Sequence, residues 1–394
     1  MTTIRNPLAA LPLALSILAA PLIGQAPVYD SEQGPYRVVT VLDNLQEPWS
    51  MAFLPDGDML VTEQPGRLRL VRDGVLVPTP ISGVPEVRYQ GQGGLLDVVL
   101  HPQFESNRLI YLSFSKPNAD GSQGTTAVAR ARFEGDRLTG VEEIFEAEAW
   151  STTGGHYGSR LLFDEDGYLF ITVGDRQASP ALGADHPAQD LSNHQGTVNR
   201  IHDDGRIPAD NPFVNTAGAQ PSIWSYGHRS PQGLALNPAT GDLWQSEHGP
   251  QGGDELNLIR PGENYGWPVI GYGVNYGGAP LHAARERAGM QQPVQHFTPS
   301  IATSGLLVYT GDRFPDWQGS VFMGGMAYPQ VARLPLVGED ARQVGRMERP
   351  PLLTGFARIR DIRQGPDGYV YLALDERNES GMSRIVRLEP AESN

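Results

Sequence analysis

The chain of 394 residues contains no cysteine. No disulfide framework can therefore brace the fold, no lipid can be attached through a thiol, and a zinc site built on thiolates is excluded. If the chain is exported to an oxidising compartment, its fold must be held by its hydrophobic core, for which a hydrophobic content of 39% is adequate, and by bound metal where a site exists.

Positive charge is also scarce. Lysine and arginine together number 30 against 45 aspartates and glutamates, so the formal net charge is −15. Such a chain lacks the attraction to phosphate that nucleic-acid binding requires, and no nucleic-acid partner is expected. The excess of carboxylates is compatible with a site for a hard cation such as Ca²⁺, although a solvated acidic surface is the commoner cause.

A long apolar run occurs only at the N-terminus. Arg5 lies in a short basic start, the run LAALPLALSILAAPLIG follows, and the small residues Gly24 and Ala26 precede the expected cleavage point. We interpret residues 1–26 as a cleaved signal peptide and expect a periplasmic or secreted protein without stable membrane insertion. A membrane anchor is the alternative, but Pro12 and Pro21 interrupt the run.

One phrase recurs along the rest of the chain, in which a turn built on Pro, Asp or Asn and Gly leads into a β-rich run. The copies are LPDGDMLVTE, LHPQFESNRLIYLSFS, FDEDGYLFITVGD, LNPATGDLWQSEHG, YTGDRFPDWQGSVFMGG and GPDGYVYLALDE. A single small sheet cannot bury both of its faces, whereas a closed ring of sheets can. We therefore predict that residues 27–394 form one domain, an all-β, six-bladed β-propeller.

Two stretches between the copies, residues 174–232 and 248–300, are long, polar and rich in glycine. In a propeller such stretches are expected to form loops on one face of the ring, where binding and catalysis concentrate. His156 lies in TTGGHYGSRLLFDEDG, just before a predicted strand, among glycines that leave room for a ligand. From these residues alone, a structural histidine and a catalytic histidine fit the pattern equally well.

The segment SEHGPQGGDELNLIRPGENYGWP combines Glu247, Asp254 and Glu255 with a Gly/Pro-rich backbone that can turn its carbonyl groups inward. Hard cations prefer such oxygen ligands, although a hydrogen-bonded surface turn has the same composition. The chain lacks a phosphate-binding Gly-x-x-x-x-Gly-Lys-[Ser/Thr] loop, a Gly-x-Ser-x-Gly elbow and a dinucleotide fingerprint after a strand. Phosphate-binding and serine-hydrolase functions therefore lose their usual support.

Six motifs in a fixed order carry a resemblance to a known family: GQGGLLDVVLHPQF, GGHYGSRLLFDEDGYLFITVGD, YGHRSPQGLALNP, SEHGPQGGDELNLIRPGENYGWP, PSIATSG and RIRDIRQGPDGYVY. Over about residues 36–390 the chain resembles the soluble aldose sugar dehydrogenases that use pyrroloquinoline quinone (PQQ), also called glucose/sorbosone dehydrogenases. The resemblance implies a quinoprotein with PQQ and Ca²⁺ as cofactors. Such an enzyme oxidises the C1 hydroxyl of an aldose to a lactone and passes the electrons to an external acceptor.

The resemblance also implies roles for individual residues. His156 matches the general base that takes the proton from the anomeric hydroxyl while hydride passes from C1 to the C5 carbonyl of PQQ. Arg229 matches the arginine set against the quinone, where its charge stabilises the reduced oxygen. The further cofactor-binding matches are Gln92, which also faces the substrate, Tyr276, Arg358 and Arg360. The metal matches are the backbone carbonyls of Gly249 and Pro250 for a catalytic Ca²⁺, and Glu255 with the backbone of Tyr265 for a structural Ca²⁺.

Two positions beside the cofactor depart from the family pattern. Ser230 follows Arg229 where the family usually has Asn, and Ala327 stands in VFMGGMAYPQV where a lysine is expected. Because PQQ carries carboxylates, a missing cation weakens its binding unless Arg333 or another neighbour takes over. Two alternatives to the dehydrogenase follow: a non-catalytic propeller module that binds Ca²⁺, and a Ca²⁺-dependent lactonase.

Overall fold

The computed structural model describes residues 26–376 and 381–392. Residues 1–25, which carry all but the last position of the expected signal peptide, lie outside the described residues. The described part of the chain forms six antiparallel sheets, five with four strands and one with five. The first strands of consecutive sheets pack against each other in a closed ring, and the predicted six-bladed β-propeller is confirmed.

The strands follow one another sheet by sheet along the chain. The N-terminal pair is β1 (Val28–Tyr29) and β2 (Tyr36–Leu45). Sheet 1 contains β3 (Pro48–Phe53), β4 (Met59–Glu63), β5 (Arg67–Arg72) and β6 (Val75–Leu76). Sheet 2 contains β7 (Leu95–Leu100), β8 (Leu109–Pro117), β9 (Gly124–Phe133) and β10 (Leu138–Glu146). Sheet 3 contains β11 (Gly158–Phe163), β12 (Leu169–Val173), β13 (Thr197–Ile201) and β14 (Ile223–Tyr226).

The second half of the chain repeats the arrangement. Sheet 4 contains β15 (Pro231–Asn237), β16 (Asp242–Glu247), β17 (Asp254–Ile259) and β18 (Gln295–Phe297). Sheet 5 contains β19 (Thr303–Val308), β20 (Ser320–Gly325), β21 (Gln330–Val337) and β22 (Gln343–Val344). Sheet 6 contains β23 (Arg358–Gln364), β24 (Val370–Asp375) and β25 (Ser383–Pro390). The helices are short: α1 (Phe104–Asn107) and the 3₁₀ turns Pro180–Asp185, Pro187–Gln189 and Pro315–Trp317.

The ring closes through the N-terminal strands. Sheet 6 has the order β1-β2-β25-β24-β23, so β2 pairs antiparallel with the last strand, Val38 opposite Leu388 and Thr40 opposite Val386. Hydrogen bonds therefore tie the start of the propeller to its end. This pairing covers an edge of sheet 6 that would otherwise expose unpaired backbone groups.

Each recurring phrase lies in a different sheet and spans the connection between its first and second strands. In sheet 1, for example, Gly57 adopts φ 92° and its N–H donates to the Leu54 carbonyl (3.0 Å). Glycine enters this region without the steric cost that a side chain would add, so the turn reverses the chain tightly. The prediction that six phrases correspond to six blades is confirmed.

The hydrophobic core is divided among the contacts between neighbouring sheets. Between sheets 1 and 2, for instance, Leu60 and Leu70 pack with Leu95 and Leu112 in one cluster. Equivalent clusters join each of the remaining pairs of neighbouring sheets around the ring. Each sheet buries both faces only because it has a neighbour on each side, which is the physical reason for ring closure.

The predicted loop stretches are less irregular than expected. Residues 174–232 contain β13 and β14, and residues 248–300 contain β17 and β18, which are the third and fourth strands of their sheets. The expectation of loops alone is wrong there, because these strands are short and partly polar, as in TVNRI and DELNLI, and show no clear alternation. Among the described residues no helix is both long and apolar enough to cross a bilayer.

Candidate active site

The candidate residues gather at the end of the ring where the first strands begin. Gln92 precedes β7, His156 precedes β11, Arg229 precedes β15, and Arg358 opens β23. In a propeller all first strands run in the same direction, so residues far apart in sequence meet at one mouth. Two clefts open there. The axial cleft, of about 150 Å³, contains Gln92 and Arg358 among its walls, and the His156 cleft, of about 190 Å³, contains His156 and Arg229.

At the centre of the His156 cleft is a histidine–aspartate pair. His156 Nδ1 lies 2.6 Å from Asp175 Oδ1, and both residues are buried. Asp175 Oδ1 also accepts from the Gln177 N–H (2.9 Å), while Oδ2 accepts from Trp267 Nε1 (2.7 Å). With three donors pointing at it, the carboxylate holds the Nδ1–H tautomer of His156, and Nε2 becomes the proton-accepting nitrogen.

The electrostatics of the pair favour a neutral base. Burial lowers the pKa of the His156 imidazole below its ordinary value, and the charges of Arg229 and Arg176 act in the same direction, whereas Asp175 opposes them. Burial alone would raise the pKa of Asp175, but the hydrogen bond from His156 and the neighbouring positive charges hold it below its ordinary value. At pH 7 the arrangement is thus a neutral imidazole supported by a carboxylate, which suits proton abstraction.

The backbone around His156 is constrained by Gln92. His156 has φ 51°, a region that residues other than glycine rarely adopt. Its N–H donates to Gln92 Oε1 (2.8 Å), and the Gln92 N–H donates to the Gly154 carbonyl (2.7 Å). The neighbouring Gly91 permits this contact, since a Cβ there would lie 2.6 Å from the Gly154 oxygen. Gln92 therefore fixes the loop that presents the imidazole.

Arg229 borders the His156 cleft and also contacts the backbone of the predicted metal-binding segment. Its Nη1 donates to the carbonyl of Gly249 (2.9 Å) and more weakly to that of His248 (3.3 Å), while its buried Nε has no hydrogen-bond partner. The guanidinium also stacks over Trp267 at 5.2 Å from the ring centroid. A buried donor without an acceptor carries a free-energy cost of about 1–3 kcal/mol, which an anionic or carbonyl ligand in the His156 cleft would relieve.

The axial cleft contains the expected cofactor arginines. Arg358 and Arg360 both border it, and Arg358 is oriented by Asp375 (3.0 Å) and the Met326 carbonyl (2.7 Å). Ala327 lies in the same wall and adds no charge. Arg333 does not replace the missing lysine: it is buried against Glu348 (2.6 Å) and does not border the cleft. Arg333 is therefore excluded as the substitute, because β21 directs it to Glu348.

A small void of about 20 Å³ lies beside Arg229, and all four predicted metal-binding residues border it: Gly249, Pro250, Glu255 and Tyr265. The volume suits one water molecule or ion, for which about 10–15 Å³ is required. Glu247 borders the void as well, and burial together with its charge raises the pKa of Glu255 well above the ordinary value. Two carboxylates facing one void favour either a retained proton or a cation.

The other sequence-derived candidates are placed as follows. Tyr276 borders the His156 cleft and is 69% exposed, so its ring is available to a ligand. The Tyr265 ring is buried and its hydroxyl donates to the Leu258 carbonyl (2.6 Å), which leaves only its backbone for a metal. Ser230 is buried and borders neither cleft. No three His, Asp or Glu side chains converge on one point in the part of the chain that the structure describes.

Sequence reasoning missed Asp175 and Trp267. A signal for Asp175 was present, because several of the recurring phrases end in an acidic residue at the close of the second strand. In sheet 4 that residue, Glu247, accepts from His228 Nδ1 (3.0 Å), and in sheet 6 Asp375 accepts from Arg358. In sheet 3 the acidic residue lies two positions beyond the end of β12, where Asp175 supports His156. An acidic residue at or just after the second strand thus contacts a basic residue near the start of the first strand in each of these three sheets.

Known proteins resemble this chain along most of its length. The family model Glucose / Sorbosone dehydrogenase matches residues 45–387. Aldose sugar dehydrogenase YliI of Escherichia coli (strain K12) is 42% identical over 366 residues, covering 92% of this chain and 96% of the relative. The crystal structure of the soluble aldose sugar dehydrogenase (Asd) from Escherichia coli in the apo-form has a TM-score of 0.83 at 42% identity, covering 90% of this chain and 100% of that one. The PQQ-bound form of aldose sugar dehydrogenase (Adh) from Streptomyces coelicolor has a TM-score of 0.72 at 28% identity, covering 91% and 99%.

A six-bladed propeller with a histidine–aspartate pair at its mouth and this set of relatives defines a dehydrogenase. The chain belongs to the glucose/sorbosone dehydrogenase family, as the match over residues 45–387 shows. The resemblance found in the sequence is confirmed.

Proposed function

We propose that the protein oxidises the C1 hydroxyl of aldose sugars to lactones, with PQQ and Ca²⁺ as cofactors and an external electron acceptor. The observation that carries the proposal is the pairing of His156 Nδ1 with Asp175 at 2.6 Å in a cleft bordered by Arg229. Similarity to aldose sugar dehydrogenases, one of them in a PQQ-bound form, supports the same substrate class and cofactor.

The mouth fits an anionic planar cofactor. Arg358 and Arg360 border the axial cleft and would hold carboxylates, Trp49 and Tyr157 supply aromatic surface beside them, and the unpartnered Nε of Arg229 can donate to a quinone oxygen. Tyr276 is exposed at the edge of the His156 cleft. The void beside Glu255 likewise fits a cation, because a cation would offset the repulsion that raises the pKa of that carboxyl.

When bound, PQQ supplies the hydride acceptor, and Ca²⁺ supplies Lewis-acid polarisation. The chain's own residues do the rest. Asp175 keeps His156 in the Nδ1–H tautomer, so Nε2 can take the proton of the C1 hydroxyl. Arg229 places positive charge beside the reacting centre, and Gln92 holds the His156 loop through two hydrogen bonds.

A second candidate function rests on Ala327. With no lysine in that wall and Arg333 engaged elsewhere, the axial cleft has a lower positive charge than the family pattern implies. A propeller that binds Ca²⁺ but not PQQ would be a binding module rather than an enzyme. Titration of the purified apo-protein with PQQ in the presence of Ca²⁺, followed by absorbance, separates the two functions.

The central test is reconstitution with PQQ and Ca²⁺ followed by dye-linked oxidation of a panel of aldoses. We expect His156→Ala to lose activity by about 10²–10⁴-fold while still binding PQQ, because the arginines of the axial cleft are unchanged. His202→Ala is the matched control, since His202 follows β13 at the opposite end of sheet 3. Wild-type turnover in His156→Ala would assign proton transfer to another group.

The location of the protein is a separate proposal. We infer that residues 1–26 direct export and are removed, which would release a periplasmic or secreted enzyme. N-terminal sequencing of the protein recovered from the periplasm or medium tests this, with Pro27 as the expected first residue.

A further inference from the structure

A third cleft adjoins the axial cleft where sheets 1, 2 and 6 meet. It has a volume of about 520 Å³ and is called here the Tyr89 cleft. Its polar walls include Glu47, Gln64, Tyr89, Gln90, Gln92 and Arg360. Gln92 and Arg360 border both clefts, so the two clefts share part of their walls. The proposed reaction uses only the axial cleft and the His156 cleft, which leaves the Tyr89 cleft without a role.

The Tyr89 cleft combines an aromatic ring with amide and carboxylate groups. The Tyr89 side chain is 49% exposed, and its hydroxyl donates to Glu47 Oε2 (2.9 Å), which holds the ring in place. Gln64 Nε2 donates to the carbonyls of Gly91 and Gly93 (3.0 Å each), so the amide is fixed with its oxygen still able to accept. A neutral ligand with many hydroxyl groups and apolar C–H faces matches such a surface.

Gln92 connects this cleft to the catalytic histidine. Its Oε1 accepts from the His156 N–H at 2.8 Å, and Gln92 also borders the Tyr89 cleft. A ligand that extends from His156 past Gln92 would therefore reach the Tyr89 cleft. Only the C1 hydroxyl at the reducing end of a saccharide can react. When that end lies beside His156, any further sugar unit must occupy a neighbouring space.

We propose that the Tyr89 cleft is a carbohydrate subsite that binds the second sugar unit of a di- or oligosaccharide whose reducing end is oxidised at His156. The proposal rests on the proposed function and adds to it that Tyr89 determines preference for chain length. Tyr89 stacks on the second ring, and Gln64 and Gln90 hydrogen-bond its hydroxyl groups. None of these three side chains touches the reacting C1 atom.

The test compares glucose, maltose and cellobiose as substrates of the PQQ- and Ca²⁺-loaded enzyme. In Tyr89→Ala we expect kcat/KM for the disaccharides to fall by roughly 2- to 12-fold through a higher KM, the range for loss of one stacking contact, while the values for glucose stay unchanged. Tyr89→Phe retains the ring and should keep most of the disaccharide preference. Tyr328→Ala removes a similarly exposed tyrosine that borders none of the three clefts at the mouth and serves as the control.

The outcomes separate the subsite from the function. Equal losses for glucose and disaccharides in Tyr89→Ala, or no loss for either, overturn the subsite while oxidation itself stands. A change in the PQQ dissociation constant of Tyr89→Ala assigns the cleft to the cofactor and also overturns the subsite. If the loaded wild type oxidises no aldose, the proposed function and the subsite fall together. Melting temperatures of the variants identify any loss that comes from unfolding.

Discussion

Replacing Asp175 by Asn tests the catalytic pair with almost no change in volume. The carboxylate accepts from three donors: His156 Nδ1, the Gln177 N–H and Trp267 Nε1. An amide has only one oxygen. If that oxygen faces Trp267, the NH₂ group faces His156 Nδ1 and favours the tautomer with hydrogen on Nε2. In that tautomer Nε2 cannot accept a proton from the substrate. If the oxygen faces His156, the NH₂ group opposes the indole N–H.

The expected magnitude follows from these two arrangements. Either arrangement leaves a buried donor without an acceptor, which costs about 1–3 kcal/mol of stability. The first arrangement also removes general-base catalysis, which contributes about 10²–10⁴-fold to the rate. We expect kcat to fall within that range. PQQ affinity should be retained, because Asp175 does not border the axial cleft.

The pH profile adds a second readout. In the wild type, kcat/KM should fall as acid protonates His156, at a pH below the ordinary histidine value because burial lowers the pKa of the imidazole. Asp175 raises that pKa, so its loss should move the acid limb of any residual activity to still lower pH. The control is Asp166→Asn in the exposed turn of the same sheet. A folded Asp175→Asn protein with wild-type kcat and an unshifted profile would refute the reasoning.

Three further predictions concern metal, cofactor and pH. Removal of Ca²⁺ by a chelator should lower the melting temperature reversibly, because the carboxylates of Glu247 and Glu255 then face one void without a cation; an unchanged melting temperature would contradict the site. Ala327→Lys should tighten PQQ binding to the apo-protein by about tenfold or more, the effect of one charged hydrogen bond, whereas Ala327→Met should not, and equal dissociation constants for both would place the cofactor elsewhere. Burial lowers the pKa of His194 to about 4, so at intermediate pH the unfolded chain binds a proton at His194 that the folded protein does not. The resulting contribution to the free energy of unfolding, about 3 kcal/mol, should be complete above about pH 6.5 and disappear as the pH falls towards 4. His194→Gln should flatten this dependence in urea unfolding, and an unaltered slope would exclude His194 as its source.

The sequence by itself determined the architecture and the position of the site along the chain. The six turn-and-strand phrases were readable because a turn signal and an alternating strand are local properties of a few residues. The polar, glycine-rich segments around Gln92, His156 and Arg229 marked the mouth for the same reason. The third and fourth strands were less readable, since short polar runs such as TVNRI show no period of their own.

Only the tertiary structure decided which groups act together. Asp175 supports His156 across 19 residues of sequence because the antiparallel pairing of β11 and β12 brings the start of one strand beside the end of the other. It accepts from Trp267 across 92 residues, a contact that exists only because the ring brings the connection of another sheet to the same mouth. Whether Arg333 could replace a lysine at position 327 depended on the direction of β21, which turns Arg333 towards Glu348 instead. The sharing of one void by Glu247 and Glu255 was equally invisible, because their spacing does not reveal that paired strands β16 and β17 place them opposite each other. Such contacts follow from ring closure and register, which no local pattern in the chain encodes.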